Sequence, residues 1–260
     1  MHLYFGNRIF WKCNVSACKK SITLRIGTWF ENSRLPFTTA VRFIYFWSKE
    51  LSSIKFCQHE IEICNNTTVD WNSYMREVAV HALLQRNKKA IGGPGKIVEI
   101  DESLFTKRKN NCGRVLPPQW IFGGICRENG EVFLVQVDDR SQETLTEKIK
   151  EFIVPGSIIY SDSWSGYSTE RLFEAGYEHL KVNHSKNFVD PDTGVHTQKV
   201  ERMWGSAKWR NKRHRGTARH HLECYLAEFA WRKHVAGEDV FKAVLQEIQA
   251  FMPPVVNMSK

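Results

Sequence analysis

Three acidic residues have the types and the surroundings to hold a divalent metal ion. Asp101 follows the alternating segment 96–100, Asp162 follows the apolar segment 157–160, and Glu201 lies in a basic segment. Carboxylate oxygens are the ligands that Mg²⁺ and Mn²⁺ prefer, because both are hard cations. Two such ions can activate a water or a 3′-hydroxyl and stabilise the leaving oxygen of a displacement at phosphorus. The three acids therefore predict a two-metal phosphoryl-transfer site.

Other interpretations of these acids stay open from their local sequence. Asp101 and Asp162 could be acids that cap turns at strand ends, and the segment around Asp162 is rich in turn residues. The turn-capping interpretation is less favourable for Asp101, since an unpaired carboxylate at the end of a buried strand costs free energy. Strand alternation predicts that Glu102 faces the opposite side, either in solvent or supporting a metal-binding residue.

The segment 195–215 predicts an amphipathic helix that carries Glu201. Val200, Met203, Trp204 and Ala207 form its apolar stripe. Lys208 lies seven residues after Glu201, two turns on and nearly on the same face. The alternative is a solvated basic helix with one incidental acid.

Positive charge concentrates around this helix. The formal net charge is +9, and residues 181–220 alone hold ten Lys or Arg against three acids. Such a concentration indicates a polyanionic partner, and we expect DNA. The cations expected to contact its phosphates are Lys199, Arg202, Lys208, Arg210, Lys212, Arg213 and Arg215. His184 and His196 flank the loop before the helix, where they could support the metal site, bind phosphate, or only hydrogen-bond within the loop.

The sequence pattern over residues 96–250, which includes the elements that position the acids, predicts an α/β domain. Strands are predicted at 96–101, 120–126 and 131–137, followed by a helix from Ser141 to about residue 152, a strand at 157–160, a helix at 169–175 and a strand at 179–182. A three-stranded meander followed by alternating helix and strand predicts a mixed sheet flanked by helices, in RNase H-like order. Asp101 and Asp162 would then end neighbouring strands at the same edge. The Gly- and Pro-rich segment 90–95 is interpreted as a linker.

The amino-terminal part is predicted to be a separate helical region. Residues 31–91 contain helical patterns at 40–51, 54–63 and 69–86, which resemble a helix-turn-helix that could bind DNA. Residues 1–30 resemble half of a zinc ribbon, because Cys13 and Cys18 form one cysteine pair where a four-ligand site needs two. We therefore do not expect zinc to bind there.

The composition limits the class of protein. An apolar content of 42% with 12% aromatic residues is typical of a folded globular protein. No apolar run is long enough for a membrane span, and no secretion signal is expected. Seven scattered cysteines do not form a disulfide framework, which favours a reducing compartment.

Several linked motifs resemble the insertion-sequence-type (ISXO-like) DDE transposases and their relatives in animal genomes, over about residues 96–242. They are Val98-Glu-Ile-Asp-Glu-Ser103, Tyr160-Ser-Asp-Ser-Trp-Ser-Gly-Tyr167, His184-Ser-Lys-Asn-Phe188, Gly194-Val-His-Thr-Gln-Lys-Val-Glu-Arg-Met-Trp204, Lys208 and Tyr225-Leu-Ala-Glu-Phe-Ala-Trp-Arg232. The resemblance implies an RNase H-like catalytic domain, Mg²⁺-dependent DNA cleavage and strand transfer, and a homodimer or higher assembly on DNA. By position, Asp101, Asp162 and Glu201 resemble the three catalytic acids and Lys208 the basic residue after them.

Two departures from the family pattern leave alternatives open. Some members place an asparagine three residues before this glutamate, and Gln198 stands there, so Gln198 is the alternative third metal ligand. The halved zinc ribbon suits a rival function, a domesticated and catalytically inactive DNA-binding or chromatin-associated protein that retains the transposase fold. The three intact acids favour the active enzyme. The nucleus is expected in a eukaryotic host, and otherwise the cytoplasm or nucleoid.

Overall fold

The computed structural model describes residues 1–5, 9–86, 90–105, 118–183, 188–191, 193–209 and 219–252. The chain forms two compact units. One comprises Met1–Ala82 together with Gly237–Lys260, and the other Leu83–Ala236. The sequence-based division at residues 91–96 stays a prediction. Contacts between residues divide the chain differently from that prediction, because the last described helix packs on the amino-terminal unit.

The first unit begins with a short antiparallel ribbon. Its strands are β1 (His2–Tyr4), β2 (Phe10–Lys12) and β3 (Ser21–Thr23). Cys13 and Cys18 lie in the turn from β2 to β3, and hydrogen bonding from the Val15 backbone, then from Cys18, lowers the pKa of the Cys13 thiol. No group of three metal-binding side chains forms among the described residues. The zinc-ribbon remnant stays a prediction.

In the described part of the first unit, the helices are α1 (Phe37–Ser48), α2 (Ile54–Ile61), α3 (Asn65–Leu84) and α8 (Val240–Phe251). The Ser53 hydroxyl caps α2 by accepting from the backbone N–H of Phe56. Phe43 and Trp71 are buried and pack edge to face at 5.5 Å between ring centroids. The expected helices are present, while a helix-turn-helix role in DNA binding stays a prediction. None of the described helices is long and apolar enough to cross a membrane.

The second unit is built on a five-stranded mixed sheet. Its strands are β5 (Ile97–Leu104), β6 (Trp120–Cys126), β7 (Val132–Val137), β9 (Ile158–Asp162) and β10 (Glu178–Val182), in the spatial order β10-β9-β5-β6-β7. Only β6 runs against the others, since β5, β9 and β10 are parallel and β6 pairs antiparallel with both neighbours. This order and direction confirm the predicted RNase H-like topology.

Helices cover both faces of this sheet. On one face lie α4 (Gln142–Phe152) and α5 (Thr169–Glu174), whose Leu145, Ile149 and Leu172 pack on Val98 and Ile100. On the other lie α6 (Gln198–Ala207) and α7 (Arg219–His234), whose apolar residues pack on β6 and β7. Because side chains alternate along a strand, Glu99 and Asp101 face the α6 side and Glu102 the α4 side.

One detail of the sequence interpretation was wrong, and the predicted linker contains a short strand. Asp101 does not end its strand, because β5 continues to Leu104 by pairing with β6 after its parallel pairing with β9 stops at Glu99. The segment 90–95 is more than a linker: β4 (Ile91–Gly92) pairs in parallel with β8 (Ile153–Val154). Gly92 has a φ of +86°, and an added Cβ would lie 2.5 Å from the Ser157 hydroxyl, so only glycine fits.

Candidate active site

Asp101 and Asp162 lie side by side because β5 and β9 are parallel neighbours. Ile97 pairs with Ile158 and Glu99 with Tyr160. Asp101 and Asp162 each lie two residues after the last of these pairs, and both line the same cavity. The predicted meeting of the two acids therefore holds, although only one of them stands at a strand end.

Glu201 reaches the same place because α6 packs directly on the sheet above Asp101. Val200, Met203 and Trp204 are buried, as the apolar stripe predicts. Trp204 lies over Gly123, the residue paired with Asp101 on β6, where an added Cβ would come within 2.8 Å of the indole. A glycine at this position is therefore what lets the helix approach the strand that carries the first acid.

The three acids line one small cavity. Its volume is about 170 Å³, and its walls come from Ile100, Asp101, Asp162, Thr197 and Glu201. Gln198, the alternative ligand, is exposed and does not line it. In the described part of the chain no three acidic, histidine or cysteine side chains converge closely enough to hold an ion. The three acids thus line one cavity, but their carboxylates do not converge on a single point.

Charge repulsion and burial act on these acids. Burial raises the pKa of Asp101 to about 7, and the charges of Glu102, Asp162 and Glu201 add to the rise. The backbone N–H of Glu102 donates to Asp101 Oδ1 at 2.8 Å and opposes it. Such a carboxylate is stabilised by any cation that enters the cavity.

Glu99 holds the helix that carries Glu201, and sequence interpretation missed it. Its carboxylate is fully buried, with Oε1 at 2.5 Å from Arg127 Nε. Oε2 accepts the backbone N–H groups of Lys199 and Val200 at 2.8 and 3.0 Å. These N–H groups belong to the first turn of α6. The side chain of the N-cap residue, Thr197, does not cap them, so the Glu99 carboxylate takes that role. The available signal was an acid within an apolar strand, two residues before Asp101 and hence on the same face.

Arg127 ties the loop before α6 to the same cluster. Its Nη2 donates to the carbonyl of His196 at 2.7 Å and lies 3.0 Å from His196 Nδ1. Lys199 Nζ donates to the Arg127 carbonyl at 2.9 Å. His196, a predicted supporting residue, therefore contacts the Glu99–Arg127 pair, and it does not line the cavity.

Glu102 lies behind the acids on the opposite face of β5. The Tyr167 hydroxyl donates to its carboxylate, and burial of Glu102, together with the nearby Asp162 charge, raises the pKa of Glu102. Tyr167 is fully enclosed, so the pKa of its hydroxyl stands well above the usual value. This fits the prediction of a supporting position better than a solvated one.

The predicted basic residues are placed only in part. Lys199 and Arg202 are exposed on α6, and Lys208 ends the helix with its Nζ 5.2 Å from the centroid of the Phe105 ring. Lys208 does not line the cavity. The remaining predicted residues, His184, Arg210, Lys212, Arg213 and Arg215, lie outside the described residues.

The strand order and directions define the second unit as an RNase H-like α/β domain. More particularly, the chain belongs to the family of ISXO2-like transposase domains, because the model of that family matches residues 79–234, more than half of the chain. The match includes Asp101, Asp162 and Glu201.

Known proteins show further similarity. An uncharacterized transposase-like protein of Haemophilus influenzae is 29% identical over 102 residues, which cover 39% of this chain and 80% of that protein. A chain of the simian T-cell lymphotropic virus intasome, in complex with PP2A regulatory subunit B56 gamma, matches 56% of this chain with 15% identity and a TM-score of 0.36. The chain spans half of that intasome chain. The HTLV-2 integrase catalytic core domain in complex with magnesium matches 54% of this chain and 84% of its own length, with 11% identity and a TM-score of 0.33.

Proposed function

We propose that this protein is an active transposase that cleaves and joins DNA strands in a reaction dependent on divalent metal ions. Asp101, Asp162 and Glu201 are the proposed metal ligands, and two ions, Mg²⁺ or Mn²⁺, are the proposed cofactors. The observation that carries the proposal is that three acids from three different elements, β5, β9 and α6, line one cavity. Family membership supplies the transposase class.

The donor set fits the proposed ions. All three residues offer carboxylate oxygens, and burial and mutual repulsion raise the pKa of Asp101 to about 7 without a cation. Bound ions would supply a metal-activated nucleophile and stabilise the charge on the leaving oxygen. The chain itself orients the carboxylates: β5 and β9 fix the two aspartates, while Glu99 and Gly123 set the position of α6.

DNA is the proposed substrate because of the charge around α6. Lys199 and Arg202 are exposed on the helix that carries Glu201, and the basic segment continues through residues 208–215. Phosphates neutralised there would bind without sequence specificity. A homodimer or higher assembly on DNA is proposed for pairing two DNA ends.

The test is cleavage of supercoiled plasmid with Mn²⁺ or Mg²⁺. Wild-type protein should nick the plasmid, and Asp101→Asn, Asp162→Asn and Glu201→Gln should each lower the rate at least about 100-fold, since metal-bound charge stabilisation is worth several kcal/mol. Glu178→Gln, at an exposed position on β10, is the matched control and should nick normally.

The outcomes separate the rival functions. Loss of nicking in Gln198→Ala with retention in Glu201→Gln would move the third ligand to Gln198. Nicked ends that never join to target DNA would indicate a nuclease without strand transfer. A wild-type protein that shifts DNA in a gel yet does not cut it with either ion would contradict the proposal and favour the domesticated DNA-binding protein.

A further inference from the structure

A cluster of two tryptophans and an arginine adjoins Asp162 through the backbone of Trp164. We define the tryptophan–arginine cluster as Trp120, Arg140 and Trp164. The Arg140 guanidinium carbon lies 3.9 Å from the Trp120 ring centroid and 4.6 Å from that of Trp164.

The two tryptophans differ in what they contribute to the fold. Trp120 begins β6 and packs against the core between the sheet and α4. Trp164 is 38% exposed and does not belong to the core clusters that pack on the two faces of the sheet. A large exposed indole two residues after Asp162, one of the acids that line the cavity, is available to a ligand.

Trp164 is held in place rather than left loose on the surface. Its backbone N–H donates to Asp162 Oδ1 at 3.0 Å, which couples its position to the second acid. Gly166 lies against its indole, and an added Cβ there would come within 2.6 Å of Trp164 Nε1. The indole is therefore positioned by a hydrogen bond to a site residue and by a glycine that leaves room for the ring.

Arg140 is oriented by the rings while its charge stays available. Among the described residues its guanidinium makes no ion pair or hydrogen bond, and its contacts are with the two indoles. A guanidinium that packs on aromatic rings keeps its N–H edge for oxygen acceptors, and its planar fork matches phosphate as well as carboxylate.

We infer that the tryptophan–arginine cluster binds an unpaired nucleotide of the DNA strand next to the bond that is cut, with a base stacked on Trp164 and a phosphate on Arg140. An aromatic face takes any base, and a fixed guanidinium takes the adjoining phosphate. The inference rests on the proposed function, because it takes DNA as the substrate, and it adds a preference for locally single-stranded DNA at the site.

The test measures DNA binding in EDTA by the fluorescence anisotropy of labelled oligonucleotides, with the full chain. Two probes are compared, a single-stranded oligonucleotide and a blunt duplex of the same sequence. Trp164→Ala should weaken single-strand binding about 5- to 100-fold, as expected for one stacked base, and change duplex binding less than about twofold. Trp164→Phe keeps an aromatic face and should retain most of the affinity. Phe173→Ala removes a more exposed aromatic residue on α5 and is the matched control, expected to bind both probes normally.

Salt dependence tests the arginine separately. Arg140→Ala should lower the slope of log affinity against log salt for the single strand by about 0.7, the value for one phosphate contact, while Trp164→Ala should leave the slope unchanged. Gly166→Ala keeps every cluster side chain but displaces the indole, and should weaken single-strand binding in the same direction as Trp164→Ala.

Two results would overturn the inference. One is single-strand binding by Trp164→Ala equal to that of Phe173→Ala. The other is an equal loss for both probes in a variant whose circular dichroism shows it to be folded. Wild-type protein that binds neither probe at low salt would instead contradict the proposed function, so the two failures are distinguishable.

Discussion

Glu99 and Asp101 are two acids on the same face of the same strand, yet their surroundings are opposite. Glu99 is fully buried and compensated by the Arg127 guanidinium and by two backbone N–H groups of α6. Asp101 faces Asp162 and Glu201 across a cavity, and burial together with these charges raises its pKa to about 7. Glu99 is therefore paired with a cation, whereas Asp101, two positions further along the same strand, meets none among the described residues.

This difference distinguishes an acid that stabilises the structure of the site from an acid that can bind its ligand. A buried acid that meets a cation and helix N–H groups fixes structure, because removing it leaves those partners unsatisfied. An acid placed among other acids weakens the fold unless a cation arrives, and such an arrangement is typical of functional sites. Glu99 thus positions the helix of Glu201, while Asp101 is available for a ligand.

The largest expected effect is at Glu99. Glu99→Ala leaves the half-buried guanidinium of Arg127 without its carboxylate and removes the acceptor at the start of α6. The free energy of unfolding should fall by about 3–5 kcal/mol, as for a broken buried ion pair. Urea unfolding measures it, with Glu178→Ala, an exposed acid on β10, as the control that should change stability by less than about 0.5 kcal/mol. Equal effects of the two substitutions would refute the role of Glu99.

At Asp101, a substitution is expected to raise the free energy of unfolding instead of lowering it. The folded state raises the pKa of Asp101 from its model-peptide value of 3.8 to about 7, so ionisation of Asp101 destabilises the fold increasingly as pH rises through that interval. In EDTA, Asp101→Asn should therefore be more stable than wild type by about 1–3 kcal/mol at pH 8, with the gain vanishing towards pH 4. Thermal unfolding across this pH range tests it, and a variant less stable than wild type at pH 8 would contradict it.

A smaller effect is expected at the contact that brings α6 onto the sheet. Gly123→Ala adds a methyl group against Trp204 and should lower the free energy of unfolding by about 2 kcal/mol through overpacking. Gly205→Ala is the matched control on α6, where no atom lies within 4 Å of the added Cβ, and should raise stability by up to about 1 kcal/mol. Equal changes at both glycines would show that the contact between Trp204 and Gly123 does not set the helix position.

Local patterns in the sequence were enough to predict most of the fold. Alternation identified β5, β6 and β7, and the stripe of Val200, Met203 and Trp204 identified the buried face of α6. Parallel pairing of β5 with β9, which brings Asp101 to Asp162, followed from the RNase H-like order. The strands and the buried face of α6 were predicted because each depends on periodicity within one element, and the pairing of β5 with β9 because it depends on the order of the elements.

The features that sequence interpretation missed all depend on distant partners. The hydrogen bonds that the backbone of α6 donates to Glu99 join residues about 100 positions apart, and no local pattern marks them. The contact of Gly123 with Trp204 and that of Arg140 with Trp164 likewise need the folded chain. Asp101 was misplaced at a strand end because the antiparallel partner that extends β5 to Leu104 could not be seen from one segment.

The central claim, that Asp101, Asp162 and Glu201 form a metal site, is tested most directly by Mn²⁺ binding measured with isothermal titration calorimetry. Wild-type protein should bind Mn²⁺, Asp101→Asn, Asp162→Asn and Glu201→Gln should each lose most of that affinity, and Glu178→Gln should keep it. Mn²⁺ binding that is unchanged in all three variants, or no binding by the wild type, would contradict the account.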